Sequence, residues 1–209
     1  GGLHGVGVSC VNALSKYLLV QVNRDGKSFE QEYSCGAPKY PVRETGVSDK
    51  TGTKVTFLPD DSIFTVTVFN YEILAARLRE LSYLNKGIRI HLIDEREKDD
   101  KGEFLQDTFY SEGGISDFIL LLDGNAKREG LLSEPIFVSD YDDESNVTVE
   151  LALMYNQSYS ENIFSYVNNI NTIEGGTHVA GFRRALTRVF KSYGDKNKLF
   201  ERAKVDITG

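Results

Sequence analysis

The chain of 209 residues is 40% hydrophobic, 26% charged and 11% aromatic, the composition of a soluble globular protein, with room for one large or two ordinary domains. Its formal net charge of −7 argues against a basic nucleic-acid surface spread over the whole chain, while leaving room for a local basic stripe. No apolar run approaches the roughly 20 residues of a membrane helix, no secretory signal is present, and Cys10 and Cys35, the only cysteines, make neither a C-x-x-C pair nor a zinc pattern, so two free thiols in a reducing cytoplasm are expected.

Gly1 to Gly7 form a glycine-rich loop. Such a loop is a poor natural start for a chain, because an unanchored terminus cannot hold a ligand loop in shape, so a piece of a longer protein is expected. Val8 to Ser15 read as a short buried helix with Val11 and Leu14 on one face. Tyr17 to Asn23 alternates like a strand, Asp25-Gly26 is a hairpin turn signal, and Lys27 to Tyr33 is the returning strand. Lys54 to Leu58 is another strand, with Val55 and Phe57 on one face and Lys54 and Thr56 on the other, ended by Pro59.

Asn70 to Asn85 is the clearest helix, with Leu74, Leu78, Leu81 and Leu84 at helical spacing. Gly87 stands where its C-terminal cap belongs. Ile88 to Ile93 and Phe104 to Tyr110 read as strands around a solvated charged turn, Asp94 to Gly102. A domain boundary falls near Tyr110, dividing residues 1–109 from 110–209. Ser111-Glu112-Gly113-Gly114 then opens a helix over Ile115 to Leu122. Strands follow at Ile136 to Ser139, Val147 to Tyr155 and Ile163 to Val167, and Glu174-Gly175-Gly176-Thr177 introduces a last long helix.

Gly2-Leu3-His4-Gly5-Val6-Gly7 carries the most chemistry. Its glycines let the backbone approach a ligand without side-chain clash. The helix that follows offers unpaired N–H groups and the positive end of its dipole, a combination that binds phosphate. No G-x-x-x-x-G-K-[ST] is present, and Cys10 stands where G-x-G-x-x-G needs its third glycine. Taken alone, the cluster also fits a tight turn packed under a helix, with His4 a hydrogen-bonded turn residue.

The exact string is more specific. Gly-Gly-Leu-His-Gly-Val-Gly-Val-Ser, continued by Val-Asn-Ala-Leu-Ser, resembles the ATP-lid motif of the type IIA topoisomerase ATPases, the gyrase and topoisomerase IV branch of the GHKL superfamily. Thr51-Gly52-Thr53 is similar to the family's later ATP-site motif, which carries an adenine-side role over to Thr53; as an ordinary turn-and-strand threonine it needs no such role. The segments Tyr71–Leu74 and Arg77–Asn85, Tyr110–Ile115, Asn168-Asn169-Ile170 and Glu174–Arg183 resemble the family's long helix and transducer motifs. The resemblance covers essentially the whole chain. It implies an α/β (α+β) protein: a truncated GHKL-type ATPase domain, with a mixed sheet and helices on one face, followed by a smaller α/β transducer domain (ribosomal S5 domain 2-like) whose strands cover the last helix.

That resemblance also implies function. Gly2, Leu3, His4, Gly5, Val6, Gly7 and Thr53 would contact ATP, with Mg2+ as the accompanying metal. The family's general-base glutamate, magnesium-binding asparagine and adenine-binding aspartate would precede Gly1, and its γ-phosphate lysine would follow Gly209. No catalytic residue and no metal ligand is therefore expected in this chain, which alone should not hydrolyse ATP. The parent would be the ATP-hydrolysing half of a topoisomerase that homodimerises through its ATPase region, joins the gyrase A subunit as an A2B2 heterotetramer, and drives negative supercoiling of double-stranded DNA. Because the DNA-cleaving tyrosine belongs to the gyrase A partner, no tyrosine here is an expected nucleophile. A topoisomerase IV component that decatenates, or a non-catalytic nucleotide- or nucleic-acid-binding module, are the alternatives.

The last helix has two faces. Phe182, Ala185, Leu186 and Val189 recur as a core stripe. Arg184, Arg188 and Lys191 form a basic stripe with Arg183 to its side. A solvated face explains that stripe on its own; the resemblance implies a helix lining the passage for DNA, where such side chains would meet phosphates.

Overall fold

The computed structural model describes residues 6–126, 130–158 and 160–200, which form four helices and eleven strands. They fall into two compact units: residues through Leu78 with His91–Thr108, and Arg79–Ile90 with the residues from Phe109 onward.

The first unit is built on an antiparallel sheet of β1 (Ser15–Arg24), β2 (Lys27–Ser34), β3 (Ala37–Pro38), β4 (Arg43–Val47) and β5 (Gly52–Pro59), in the order β3-β2-β1-β5 with β4 also on β2. The β1–β2 turn is Asp25-Gly26, with φ of 53° and 79°, closed by the Arg24–Lys27 pair. Two consecutive left-handed residues match the twist of the flanking strands, and Asp and Gly tolerate that conformation best. Cys35-Gly36 (φ 48° and 82°) repeats the device between β2 and β3.

Register sets the faces of this sheet. Leu18 pairs with Phe57, Val20 with Val55 and Val22 with Thr53. Side chains alternate along a strand, so these six share one face while Gln21 and Lys54 lie on the other. Leu18, 1% exposed, is the buried centre of this sheet; Val55 and Phe57 stay more than 40% exposed.

Helix α1 (Val6–Ala13) precedes the sheet and is stapled to it at its end, where Asp60 N donates to Leu14 O and Cys35 N to Ser15 O. The expected buried helix is instead largely exposed. Val11 and Asn12 are half-buried, while Val6, Val8 and Leu14 face outward. Among the described elements, α1 packs on β1, β2 and β5.

Helix α2 (Tyr71–Leu84) begins where Asn70 Oδ1 accepts the Ile73 N–H at 3.0 Å, the usual N-cap bond. It ends before Gly87 at φ 83°. Its leucines are half-buried and Ala75 is buried. The following hairpin joins β6 (Ile90–Lys98) to β7 (Phe104–Phe109). The expected loop from Asp94 is therefore mostly strand. Arg96 forks onto the Asp94 carboxylate and also donates to Phe69 O at 3.0 Å, which neutralises and anchors the charged stretch. The turn itself is confined to Asp99–Gly102, where Asp99 Oδ1 accepts from Lys101 N and Glu103 N.

In the second unit, helix α3 (Ile115–Asn125) packs on β9 (Val147–Leu153), which pairs with β8 (Ile136–Asp142). A short hairpin, β10 (Tyr166–Val167) and β11 (Ile170–Asn171), turns through Asn168-Asn169, both left-handed. Helix α4 (Thr177–Lys196) follows. The expectation that strands cover this last helix is not met by the close contacts of the second unit, where the described helix packed along a strand is α3, on β9. Phe182, Ala185 and Leu186 are half-buried, and Val189, expected in the core, is 61% exposed.

Candidate functional site

Three places hold the side chains that the sequence singles out. At the amino end, Gly2, Leu3, His4 and Gly5 lie outside the described residues. Val6 and Gly7 form the first positions of α1 and both are exposed. A Cβ added at Gly7 would meet nothing within 4 Å, so the backbone there is open to approach. The first N–H groups of any helix lack intrahelical partners, and the dipole there favours negative charge.

On the sheet, Thr53 stands opposite Val22, at the Gly52 end of β5 and on the Leu18 face. An open depression of about 430 Å³ at this end of the sheet is lined by Gln21, Asn23 and Lys54 of the opposite face, with Ser28 and Lys50, and reaches Thr53. The rim is polar: Ser28 Oγ donates to Asn23 Oδ1 at 2.7 Å, and Thr45 Oγ1 to Ser28 O at 3.3 Å. Farther along β2, Glu30 takes the Arg43 guanidinium and the Tyr40 hydroxyl. The Arg43 bonds hold the Glu30 carboxyl below its usual range, and desolvation followed by the Glu30 bond raises the Tyr40 hydroxyl. These pairs brace β2 against residues 40–43, and Glu30 also takes a bond from Gln21, which lines the depression.

On α4, the i, i+4, i+7 spacing puts Arg184, Arg188 and Lys191 on one face, all exposed. Arg184 Nε donates back to Ala180 O at 3.2 Å, and Arg183 is ion-paired with Glu161. Among the described residues no cluster of three or more His, Cys, Asp or Glu side chains could hold a metal ion.

The structure also brings together groups that periodicity does not reveal. Buried Ser111 accepts the Gly114 N–H at 2.8 Å and donates to Asp117 Oδ2 at 2.7 Å. The same carboxylate oxygen accepts the Gly113 N–H at 2.9 Å. This knot explains the first Glu-Gly-Gly: a Cβ at Gly113 would collide with the Asp117 carboxylate, and Gly114 sits at φ 62°. A serine followed six residues later by an aspartate is the available signal, and it is too loose to read without coordinates. In the first unit, Tyr71 donates to Asp107 Oδ2 at 2.9 Å; desolvation and that bond push its hydroxyl up to about 12. The Arg96 bonds pull Asp94 down to about 2.

Comparison with known proteins gives one consistent match. The family model for DNA gyrase B matches residues 114–209. Over 209 residues the chain is 66% identical to the DNA gyrase B protein of Chitinophaga japonensis, and 58% identical to that of Eisenibacter elegans. It covers 44% and 43% of those proteins, each time with all of its own length. The chain thus spans under half the length of these curated relatives. The DNA gyrase B protein of Staphylococcus aureus is 47% identical over 210 residues, 32% of that protein. Among solved structures, the 43K ATPase domain of Thermus thermophilus gyrase B, in complex with an aminocoumarin, superposes with a TM-score of 0.78 at 33% identity, covering 99% of this chain and 53% of that one.

Proposed function

We propose that the chain is part of a DNA gyrase B protein, and so of an ATP-dependent type II DNA topoisomerase. Residues 1–109 are read as the C-terminal part of the GHKL ATP-binding domain and 110–209 as the transducer domain. One observation carries this reading: the glycine-rich run Gly2 to Gly7 leads directly into the first turn of α1, which begins at Val6. There the N–H groups and the open backbone at Gly7 suit a triphosphate tail. Gly2, Leu3, His4, Gly5, Val6 and Gly7 hold the phosphates of ATP, and Thr53 presents its hydroxyl toward the base side from the Leu18 face of the sheet. The nucleotide would come with Mg2+, to which no described residue here is assigned as ligand.

In the parent, nucleotide binding closes the gyrase B dimer around a double-stranded DNA segment. Assembly with the gyrase A subunit, which supplies the cleaving tyrosine, turns that closure into negative supercoiling in the cytoplasm. Arg183, Arg184, Arg188 and Lys191 hold the transported duplex through salt-sensitive phosphate contacts. Of these, Arg183 must leave Glu161 to do so.

The test is supercoiling of relaxed plasmid by the parent protein with its gyrase A partner and ATP. Supercoiling supports the reading, decatenation without supercoiling moves the chain to topoisomerase IV, and neither activity overturns it. The 209-residue chain alone is expected not to release phosphate from ATP above background. Neutralising the four basic residues in the parent should weaken DNA-stimulated hydrolysis and flatten its salt dependence; an unchanged response makes the stripe solvated surface only.

A further inference from the structure

Helix α2 supplies residues to both units, its first part through Leu78 to one and the rest to the other. Within the second unit its end is gripped by the β10–β11 hairpin at two points. Tyr166 Oη donates to Glu80 Oε1 at 2.7 Å, and the Asn169 side-chain amide donates to Asn85 Oδ1 at 2.8 Å. The two acceptors stand five residues apart, about 7.5 Å along a helix axis at 1.5 Å per residue. A single bond would leave the hairpin free to swivel about α2; two fix its orientation.

The hairpin is stiff at both ends. At its tip, Asn168 and Asn169 both adopt the left-handed conformation, which Asn tolerates. At its open end, Ser165 and Thr172 are cross-bonded. Thr172 N donates to Ser165 O at 2.8 Å, Thr172 Oγ1 donates to the same oxygen at 3.0 Å, and the two hydroxyls meet at 2.6 Å. From there two bonds reach the start of α4: Gly175 N donates to Thr172 O at 2.8 Å, and Thr172 Oγ1 lies 3.2 Å from His178 Nε2 in the first helical turn. Phe118 of α3 lies between the Tyr83 ring, stacked at 5.3 Å, and the Tyr166 ring at 6.5 Å. The hairpin is thereby keyed to the body of the unit as well as to α2.

We propose that the 166–171 hairpin is a positioning relay that converts displacement of α2 into displacement of the first turn of α4, the helix carrying Arg184, Arg188 and Lys191. The proposal rests on the functional reading above, in which nucleotide and DNA act at different ends of the chain. Tyr166, Asn169 and Thr172 contact neither ligand. They set how strongly one site responds to the other, a coupling that typically spans about 5- to 150-fold.

The test uses the full-length parent assembled with its gyrase A partner. Tyr166→Phe keeps the ring and drops the hydroxyl; Asn169→Gly keeps the left-handed turn and drops the amide. The double variant should retain its DNA-independent ATPase rate and its KM for ATP while DNA stimulation falls by at least about fivefold. Glu80→Gln, which keeps an acceptor oxygen for Tyr166, should retain the stimulation. Wild-type stimulation in the double variant overturns the relay and leaves the functional reading intact. Absence of DNA stimulation in the wild-type parent overturns both. If the double variant loses its basal rate or its helical signal, Tyr166→Phe alone decides by the same ratio, since it removes a single oxygen.

Discussion

In the first unit β1 is hydrogen-bonded along both edges, to β2 and to β5, over most of its length. In the second, β8 pairs with β9 and β10 with β11 as separate two-stranded pieces, with no larger described sheet like the one that the first unit has beside its own β6–β7 hairpin. The units are accordingly held by different means. A continuous ladder fixes the register of the first, and Leu18 is buried beneath it. In the second, side-chain bonds between elements far apart in sequence take that role: Tyr166 to Glu80, Asn169 to Asn85, and Asn156 to the buried Asp123 carboxylate. Two-stranded hairpins are marginal by themselves, so their placement depends on such anchors. Apolar burial resists small perturbations of geometry, whereas a hydrogen bond with a buried partner is lost outright when one atom is removed.

Four expected outcomes sharpen or break that contrast. The largest effect falls on the ladder's buried centre. Leu18→Ala should destabilise the first unit by about 2–5 kcal/mol, read as lost amide-exchange protection in β1, β2 and β5 with protection in β8–β9 unchanged. Uniform loss in both units would mean that the two are not independently held. Next comes the polar knot: Ser111→Ala leaves the Gly114 N–H and the Asp117 carboxylate short of a partner and should cost about 1–3 kcal/mol, measured by urea unfolding, with protection lost first in α3. A neutral outcome would remove the claim that side-chain bonds set this unit. At the β1–β2 turn, Gly26→Ala forces a Cβ into φ 79° and should cost about 1–2 kcal/mol; Gly46→Ala, whose φ is not positive, serves as its control in the same sheet.

The smallest effect is set by pH. Tyr71 keeps its proton to about 12 when folded, against an ordinary value of 10.0. The folded state then holds more protons than the unfolded chain between those values, so stability is intact below pH 10 and declines toward pH 12. Asp94 gives the opposite flank. With its value lowered from 3.8 to about 2, its contribution is present above pH 4 and fades as pH falls toward 2. Tyr71→Phe should shrink the alkaline decline in the first unit, to which the raised Tyr40 hydroxyl also contributes, and an undiminished decline would assign it to other groups.

Much of the first unit can be read from residue order because its signals are local. Asp-Gly between alternating runs names its own turn, and four leucines at helical spacing name α2. Cys35-Gly36 makes the same kind of turn as Asp25-Gly26, yet cysteine carries no turn propensity, so residue order does not reveal the second hairpin. The stretch from Asp94 to Lys98 reads as solvated loop because it is charged; pairing with β7 makes it strand, and Arg96 neutralises Asp94 and ties the stretch to the Phe69 carbonyl. Apolar periodicity also overstates burial at Val189 and Leu14, since a stripe shows which side of a helix prefers cover and not what covers it. For the candidate site, residue order picks out the glycine-rich run and the i, i+4, i+7 basic stripe. It cannot reach the Tyr166–Glu80 or Asn169–Asn85 bonds, whose partners are 86 and 84 residues apart.

The units are interleaved along the chain, because residues 79–90 belong with the second while 91–108 return to the first. No single cut in the polypeptide can yield both intact. Severing after Leu78 strands the β6–β7 ribbon, and severing after Thr108 leaves the second unit without the helical end that its hairpin grips. Exchange of either unit between related genes therefore needs two crossovers or a matched α2, so the two halves are expected to be inherited together.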